Sequence, residues 1–207
     1  TTSNVTIQGG TSRNFIGGDG TVNSVVIGGT GGTQVDVVSP GQGISSSLSG
    51  SFNNKQIPRG NDDADASIGA FTATNLSLLD GGVYDWEIQD FEGDNTSTND
   101  WDVLKFTTLT LGDPNTETFG INIFGIDPSD GSAGMPDFSV SPAGSKNLIG
   151  KTGSFKFLSG PAGGIAWGGG GGAWTSAQLN QYFVPRDDDF AYYNSYWGGD
   201  WTVSYNN

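Results

Sequence analysis

Residues 71–111, FTATNLSLLDGGVYDWEIQDFEGDNTSTNDWDVLKFTTLTL, carry the strongest strand signal in the chain. Three runs, 71–79, 82–88 and 101–111, alternate apolar with polar positions and are rich in β-branched and aromatic residues. A Gly-Gly pair separates the first two, and a polar stretch over 89–100 separates the second from the third. Side chains alternate across a strand. Val103, Lys105, Thr107, Leu109 and Leu111 are therefore expected on one face of the last run, and Leu104, Phe106, Thr108 and Thr110 on the other.

The pattern extends outward from there. Toward the N-terminus, the runs 5–7, 22–27 and 34–38 are closed by Gly9-Gly10, Gly28-Gly29 and Ser39-Pro40-Gly41. The similar endings TIQGG, VVIGG and DVVSPG suggest rungs of a β-solenoid, each short strand stacked on the next. Ordinary hairpins in a jelly-roll-like β-sandwich would use the same glycines as turns, and the irregular spacing leaves the two nearly level. Toward the C-terminus, 118–126 forms another strand. Residues 200–205 are expected to make a terminal strand with Trp201, Val203 and Tyr205 on one face. Only 175–183, TSAQLNQYF, reads as helical, with Thr175 or Ser176 as cap and Leu179 four residues before Phe183. The fold class is all-β with at most one short helix. Three sections are expected: a Gly-rich N-terminal β segment over 1–50, a polar loop over 51–66, and a main β domain over 67–207.

Composition narrows the function. Glycine fills 35 of 207 positions, about 17 % against about 7 % in average proteins. Leu, Ile, Val and Phe sum to 46 residues, just above the level at which charged chains stay unfolded, and the aromatic residues argue further for a packed core. There is no Cys or His, which removes disulfides, thiolate and imidazole metal sites, and Ser-His or Cys-His nucleophiles from this chain's repertoire. Eight basic residues against 22 acidic ones give a net charge of −14, which opposes nucleic-acid binding. No apolar run is long enough for a membrane helix. Thr1 is not an initiating residue, so processing or trimming is expected, and no signal peptide is visible.

Three stretches share an order with a known family: SPGQGISSSLSG at 39–50, LSLLDGGVYDWEIQDFEGDNTSTNDWDVLKFTTLTL at 76–111, and WTVSYNN at 201–207. They resemble the C-terminal part of PEP-CTERM-type secreted bacterial proteins, related to autotransporter-associated β-strand passenger regions. The Trp-Glu-Ile element at 86–88 and the Trp-Asp-x-Leu element at 101–104 match over about a third of the chain. The chain departs from the pattern in lacking the second Pro-Gly of the turn element, in having no PEP motif or hydrophobic tail after Asn207, and in matching nothing over 127–200. The resemblance implies an exported surface or matrix protein with a β-solenoid or β-sandwich body, and it implies no activity.

Carboxylates are the remaining chemical currency. Glu87 and Asp102 are the pair that would serve a glycosidase if a cleft held them some 5–9 Å apart, a minor alternative to a structural role. Asp90, Glu92, Asp94, Asp100 and Asp102 gather hard oxygen ligands around a loop, which suits calcium, and calcium is the one cofactor the sequence supports. Asp62-Asp63-x-Asp65, Asp127-x-x-Asp130 and 187–189 are further acidic clusters, and none follows the spaced helix-loop-helix calcium pattern. Gly168–Gly172 lacks the lysine and the strand-helix context of a phosphate loop. Tyr192, Tyr193, Tyr196 and Trp197 form a dense aromatic run suited to stacking on a glycan or on another subunit, whereas Trp201 suits a core.

The N-terminal 32 residues carry only Arg13 and Asp19 as charges. Such a β-prone, Gly-rich segment is suited to pairing with the sheet edge of a neighbour, with Val5, Ile7, Val22, Val25 and Ile27 as contact residues. The expected function is a non-enzymatic, extracellular, self-assembling subunit of a surface filament or biofilm matrix. Its partners are copies of itself and extracellular polysaccharide, with no nucleic acid and no membrane span. A calcium-supported carbohydrate-binding adhesin is the alternative.

Overall fold

A computed structural model of the chain describes residues 3–8, 14–29, 36–41, 68–90, 100–125, 155–186 and 201–206. Among these residues eleven strands form two sheets: β1 (Asn4–Ile7), β2 (Asn14–Gly18), β3 (Thr21–Ile27), β4 (Asp36–Pro40), β5 (Ala70–Leu78), β6 (Gly82–Ile88), β7 (Val103–Leu111), β8 (Phe119–Gly125), β9 (Leu158–Ser159), β10 (Ile165–Ala166) and β11 (Phe183–Arg186). One sheet runs β1-β3-β5-β7, with β9 and β10 both paired to β7. The other runs β2-β4-β6-β8-β11. Every pairing between these strands is parallel.

This connectivity decides between the two architectures. Hairpins would set consecutive strands antiparallel in one sheet. Here consecutive strands from β1 to β8 occupy opposite sheets, and each pairs with the strand one turn later. The strand of the opposite sheet serves as the crossover that a parallel pair requires. The all-β body is thus a two-sheet parallel β-solenoid. Ser24 lies beside Asn4, Asn75 beside Ser24, and Thr108 beside Asn75, so turns of very unequal length stack in register. The inserted segments fall between strands, and that inequality hides the repeat in the sequence.

The core fills the gap between the sheets. Val25, Ile27, Leu76, Leu78, Leu104 and Leu109 contribute to it from the first sheet, and Tyr84, Trp86, Ile88 and Ile123 from the second. The middle of the second sheet is covered on both faces, since all five residues of β4 and all seven of β6 are buried.

β7 corrects the strict alternation expected for 101–111. Thr107 and Thr108 are both exposed, and Leu104, Phe106, Leu109 and Leu111 are all buried in the core. The same slip occurs one turn earlier, where Thr74 and Asn75 are both exposed. The slips stack, so polar side chains ladder along the outside. Thr108 Oγ1 lies 2.7 Å from Asn75 Oδ1, and Asn23 Nδ2 donates to Asn4 Oδ1 at 2.9 Å. Like stacks on like from turn to turn, as parallel register requires.

The expected helix is present as α1 (Ser176–Tyr182). Thr175 and Gln178 form a reciprocal capping box. The expected terminal strand is absent as a strand, although its alternation survives. Val203 is buried and Trp201 and Tyr205 are half-buried against the core, while Thr202 and Ser204 are exposed. Asn180 of α1 takes the place of a ladder partner: its amide donates to Val203 O at 2.9 Å and its Oδ1 accepts from Val203 N at 2.8 Å. One side-chain amide thus satisfies a segment that is strand-like in its pattern but joins neither sheet.

Tyr182 fastens α1 to the first sheet. Its hydroxyl donates to Leu78 O and accepts from Gly112 N at 3.0 Å. Burial raises its pKa well above the usual tyrosine value, opposed in part by the Gly112 hydrogen bond and helped to a lesser extent by Glu117 and Asp80. Burial, helped by Asp102, also raises Tyr84. A raised folded pKa means that the folded state holds these protons while the unfolded chain releases them. The stabilisation is therefore complete below the unfolded value of about 10 and is lost as pH climbs above it. Urea unfolding is expected to give a flat stability through pH 7–9. Above about pH 10 it should fall by up to about 1.4 kcal/mol per pH unit for each tyrosine. Tyr84→Phe should remove part of that alkaline fall, and an unchanged fall would refute the assignment.

Candidate functional site

The site residues expected from the sequence fall, among the described residues, at two places: the N-terminal edge of the solenoid and the acidic corner between β6 and β7.

At the N-terminal edge, β1 pairs only with β3 and β2 only with β4 among the described residues. Ser3 O accepts from Asn23 N at 2.9 Å and Ile7 O from Gly28 N at 3.1 Å. Main-chain groups alternate sides along a strand, so Ser3, Val5 and Ile7 point theirs at β3, while Asn4 and Thr6 point theirs away. Sheet edges are normally blunted by charge, proline or bulges. Neither β1, NVTI, nor β2, NFIGG, contains any charged residue or proline.

The opposite edge differs. β11, FVPR, carries Pro185 and Arg186. The two-residue strands β9 and β10 are interrupted by Gly160, Pro161 and a 3-10 turn over Ala162–Gly164. Proline removes a ladder donor and short strands offer few.

Of the residues expected to mediate assembly, Val5 and Ile7 lie on edge strand β1. Val22, Val25 and Ile27 lie on β3, whose two sides are taken by β1 and β5. Val25 and Ile27 are fully buried, so of these five residues only Val5 and Ile7 lie on a strand with a single partner strand among the described residues. Sequence reasoning missed β2: NFIGG is too short and too Gly-rich to announce a strand.

At the acidic corner the structure brings Glu87 and Asp102 together through the main chain. Asp102 N donates to Glu87 O at 3.0 Å, and Glu87 N donates to Asp102 Oδ2 at 3.3 Å. Asp102 Oδ1 accepts from Gly69 N at 2.8 Å, and Asp102 O from Trp86 Nε1 at 2.9 Å. Both carboxylates have no accessible surface. Ser39 Oγ lies 3.3 Å from Glu87 Oε1. A glycosidase acid and base act only where substrate reaches them, whereas Asp102 here ties together the starts of β5 and β7 and the end of β6.

The acidic loop closes at its base. Gln89 N and Asp90 N both donate to Asp100 O, at 2.9 and 3.0 Å, which draws Asp90 and Asp100 into one stem. Among the described residues no three acidic side chains come together as a metal site. Glu92 and Asp94 lie outside the described residues, as do Tyr192, Tyr193, Tyr196, Trp197 and the clusters at 62–65, 127–130 and 187–189. Gly169 and Gly170 adopt positive φ, +75° and +74°, in a turn between Trp167 and Trp174, whose rings pack 5.4 Å apart.

The fold defines a class, a two-sheet parallel β-solenoid, whose first end strand among the described residues carries no charge or proline and whose last carries both. Set against known protein families, curated proteins and solved structures, the chain matches none of them.

Proposed function

We propose that this chain is a non-enzymatic structural protein of the cell exterior, a subunit that assembles with copies of itself by strand addition into a surface filament or matrix. The N-terminal edge strand β1 carries this reading. Among the described residues it pairs only with β3, turns the main-chain groups of Asn4 and Thr6 away from it, and lacks the charges and prolines that natural edges use to refuse partners. Strand addition gives affinity through main-chain hydrogen bonds, so neither a pocket nor a large apolar patch is required. The resemblance to PEP-CTERM-type proteins supports an exported location. The lack of Cys and His and the presence of a single Met suit a chain exposed to oxidants.

Thr6 supplies the test because its main-chain groups face away from β3. Thr6→Pro removes one outward N–H and leaves the β1–β3 ladder bonds in place. Thr6→Lys sets a charge beside the edge. In sedimentation and electron microscopy, the wild-type chain is expected to associate, and either variant to dissociate at least tenfold more readily. Fibres would indicate head-to-tail joining, and discrete dimers would indicate two N-terminal edges paired about a two-fold axis. A wild-type chain that stays monomeric at high concentration would refute the proposal.

A second reading, a calcium-supported carbohydrate-binding adhesin, draws support from the closed stem at Asp90 and Asp100. It calls for calcium to raise the unfolding temperature of the wild-type chain and for Asp90→Asn together with Asp100→Asn to abolish that rise. No calcium-dependent shift in the wild type would eliminate it.

A further inference from the structure

The outer faces of the two sheets differ. That of the second sheet is buried over β4 and β6, whereas that of the first stands open to solvent and is built mainly of short polar side chains. Register sets these in ranks across the strands. Asn4, Ser24, Asn75 and Thr108 form one rank, and Thr6, Val26, Ser77 and Thr110 the next. Thr74 and Thr107 lie one residue before the first of these ranks, on the same exposed side. Neighbours within a rank stand about 4.8 Å apart, the spacing of paired strands, and the two ranks about 6.6 Å apart, two residues along a parallel strand. The array is tied down as well as regular: Thr108 Oγ1 lies 2.7 Å from Asn75 Oδ1, and Asn75 Nδ2 donates to Asn23 O at 3.3 Å.

Charge, ring content and repeat choose the partner. In a chain of net charge −14, Lys105 is the one charged residue of β1, β3, β5 and β7, so the face complements an uncharged partner rather than a polyion. The aromatic residues of these strands, Phe71 and Phe106, are buried in the core, which leaves no ring on the face to stack on a sugar. A grid of hydroxyl, amide and methyl groups that repeats in two directions fits a partner that also repeats in two directions. We propose that this face binds ice. Its two spacings are close to those of the water oxygens on a prism face of hexagonal ice. A single hydroxyl gains little there, because it exchanges one water contact for another. A preorganised grid gains because its groups engage the lattice together, with little side-chain freedom left to lose.

The test uses the full chain and is independent of assembly. The fraction of protein taken up by slowly grown ice is measured, together with the coarsening of ice grains in frozen sucrose solution. The wild-type chain is expected to enter the ice and to slow coarsening. Thr107→Lys, alone or with Thr74→Lys, places a long charged side chain on the grid at exposed positions. Either variant, folded by circular dichroism, is expected to lower uptake about tenfold or more. Ala177→Lys adds the same charge at an exposed position of α1 and should change uptake about twofold or less. Ice that excludes the wild-type chain overturns the proposal, as does uptake equal in wild type and the Thr107→Lys variants, or an equal loss in Ala177→Lys. Retention on microcrystalline cellulose without uptake by ice overturns it in favour of a polysaccharide. Uptake by a chain that stays monomeric upholds it while refuting assembly.

Discussion

Asp102→Asn is expected to lower the unfolding free energy by about 2–4 kcal/mol, a large loss for a change that keeps size and shape. Asp102 has no accessible surface, so no water replaces a lost partner. Its two carboxylate oxygens accept from Gly69 N and Glu87 N, and an amide has only one oxygen to offer. Whichever way the asparagine turns, an NH₂ group meets a main-chain N–H. The buried donor left unsatisfied costs its full desolvation penalty, and removal of the buried charge offsets only part of that cost. The site is also a junction: Val103 N donates to Gly69 O at 3.0 Å, Asp102 N to Glu87 O, and Trp86 Nε1 to Asp102 O. Loosening one bond therefore strains the meeting point of β5, β6 and β7. Urea unfolding should show a lower midpoint with an unchanged slope. Lys105→Gln on the exposed outer face of β7 should stay within about 0.5 kcal/mol of wild type. A loss at Asp102 no greater than at Lys105 would remove its structural role.

The all-β class and the helix over Ser176–Tyr182 were legible because they rest on local signals. Period-two alternation marked β5, β6 and most of β7, and Thr175 with Gln178 marked the α1 cap. The parallel stacking was half legible. Recurrent Gly-Gly endings hinted at rungs, but the segments inserted between strands destroyed the fixed period by which solenoids are usually recognised. The slip at Thr107 and Thr108 was invisible, because it is imposed by register with Asn75 and Ser24 on neighbouring turns rather than by the run itself. Trp201, Val203 and Tyr205 kept their predicted common side without forming a strand, since Asn180 supplies hydrogen bonds that no local pattern encodes. The N-terminal segment stood out in the sequence by carrying only Arg13 and Asp19 as charges. Which strand ended the sheet was a question of topology, which among the described residues places β3 inside and β1 at the end.

Gly28→Ala is expected to cost about 3–5 kcal/mol, more than its one added carbon suggests. Gly28 closes β3 in the VVIGG ending and has φ +83°, in the left-handed region that costs a non-glycine residue about 1–2 kcal/mol. Space is the larger obstacle. A Cβ there would press on Leu79 O and stand 2.7 Å from Gly82 N and 2.8 Å from Asp80 O, all main-chain atoms of the β5–β6 corner one turn along. These atoms cannot swing away as a side-chain tip would, so two turns must separate locally. Gly28 N to Ile7 O at 3.1 Å and Gly29 N to Asp80 O at 2.8 Å hold the same corner, so separation also weakens the β1 edge. Gly81 isolates the conformational part, because it has φ +75° and a Cβ added there would meet nothing within 4 Å. Gly81→Ala should therefore cost only about 1–2 kcal/mol. In thermal unfolding of a chain this size, each kcal/mol lowers Tm by about 2–4 °C. Gly28→Ala should thus fall roughly 6–20 °C below wild type and Gly81→Ala by no more than about 8 °C. Equal losses at the two positions would mean that the turns are not in contact at this corner, and the stacked register that defines the solenoid would then be wrong.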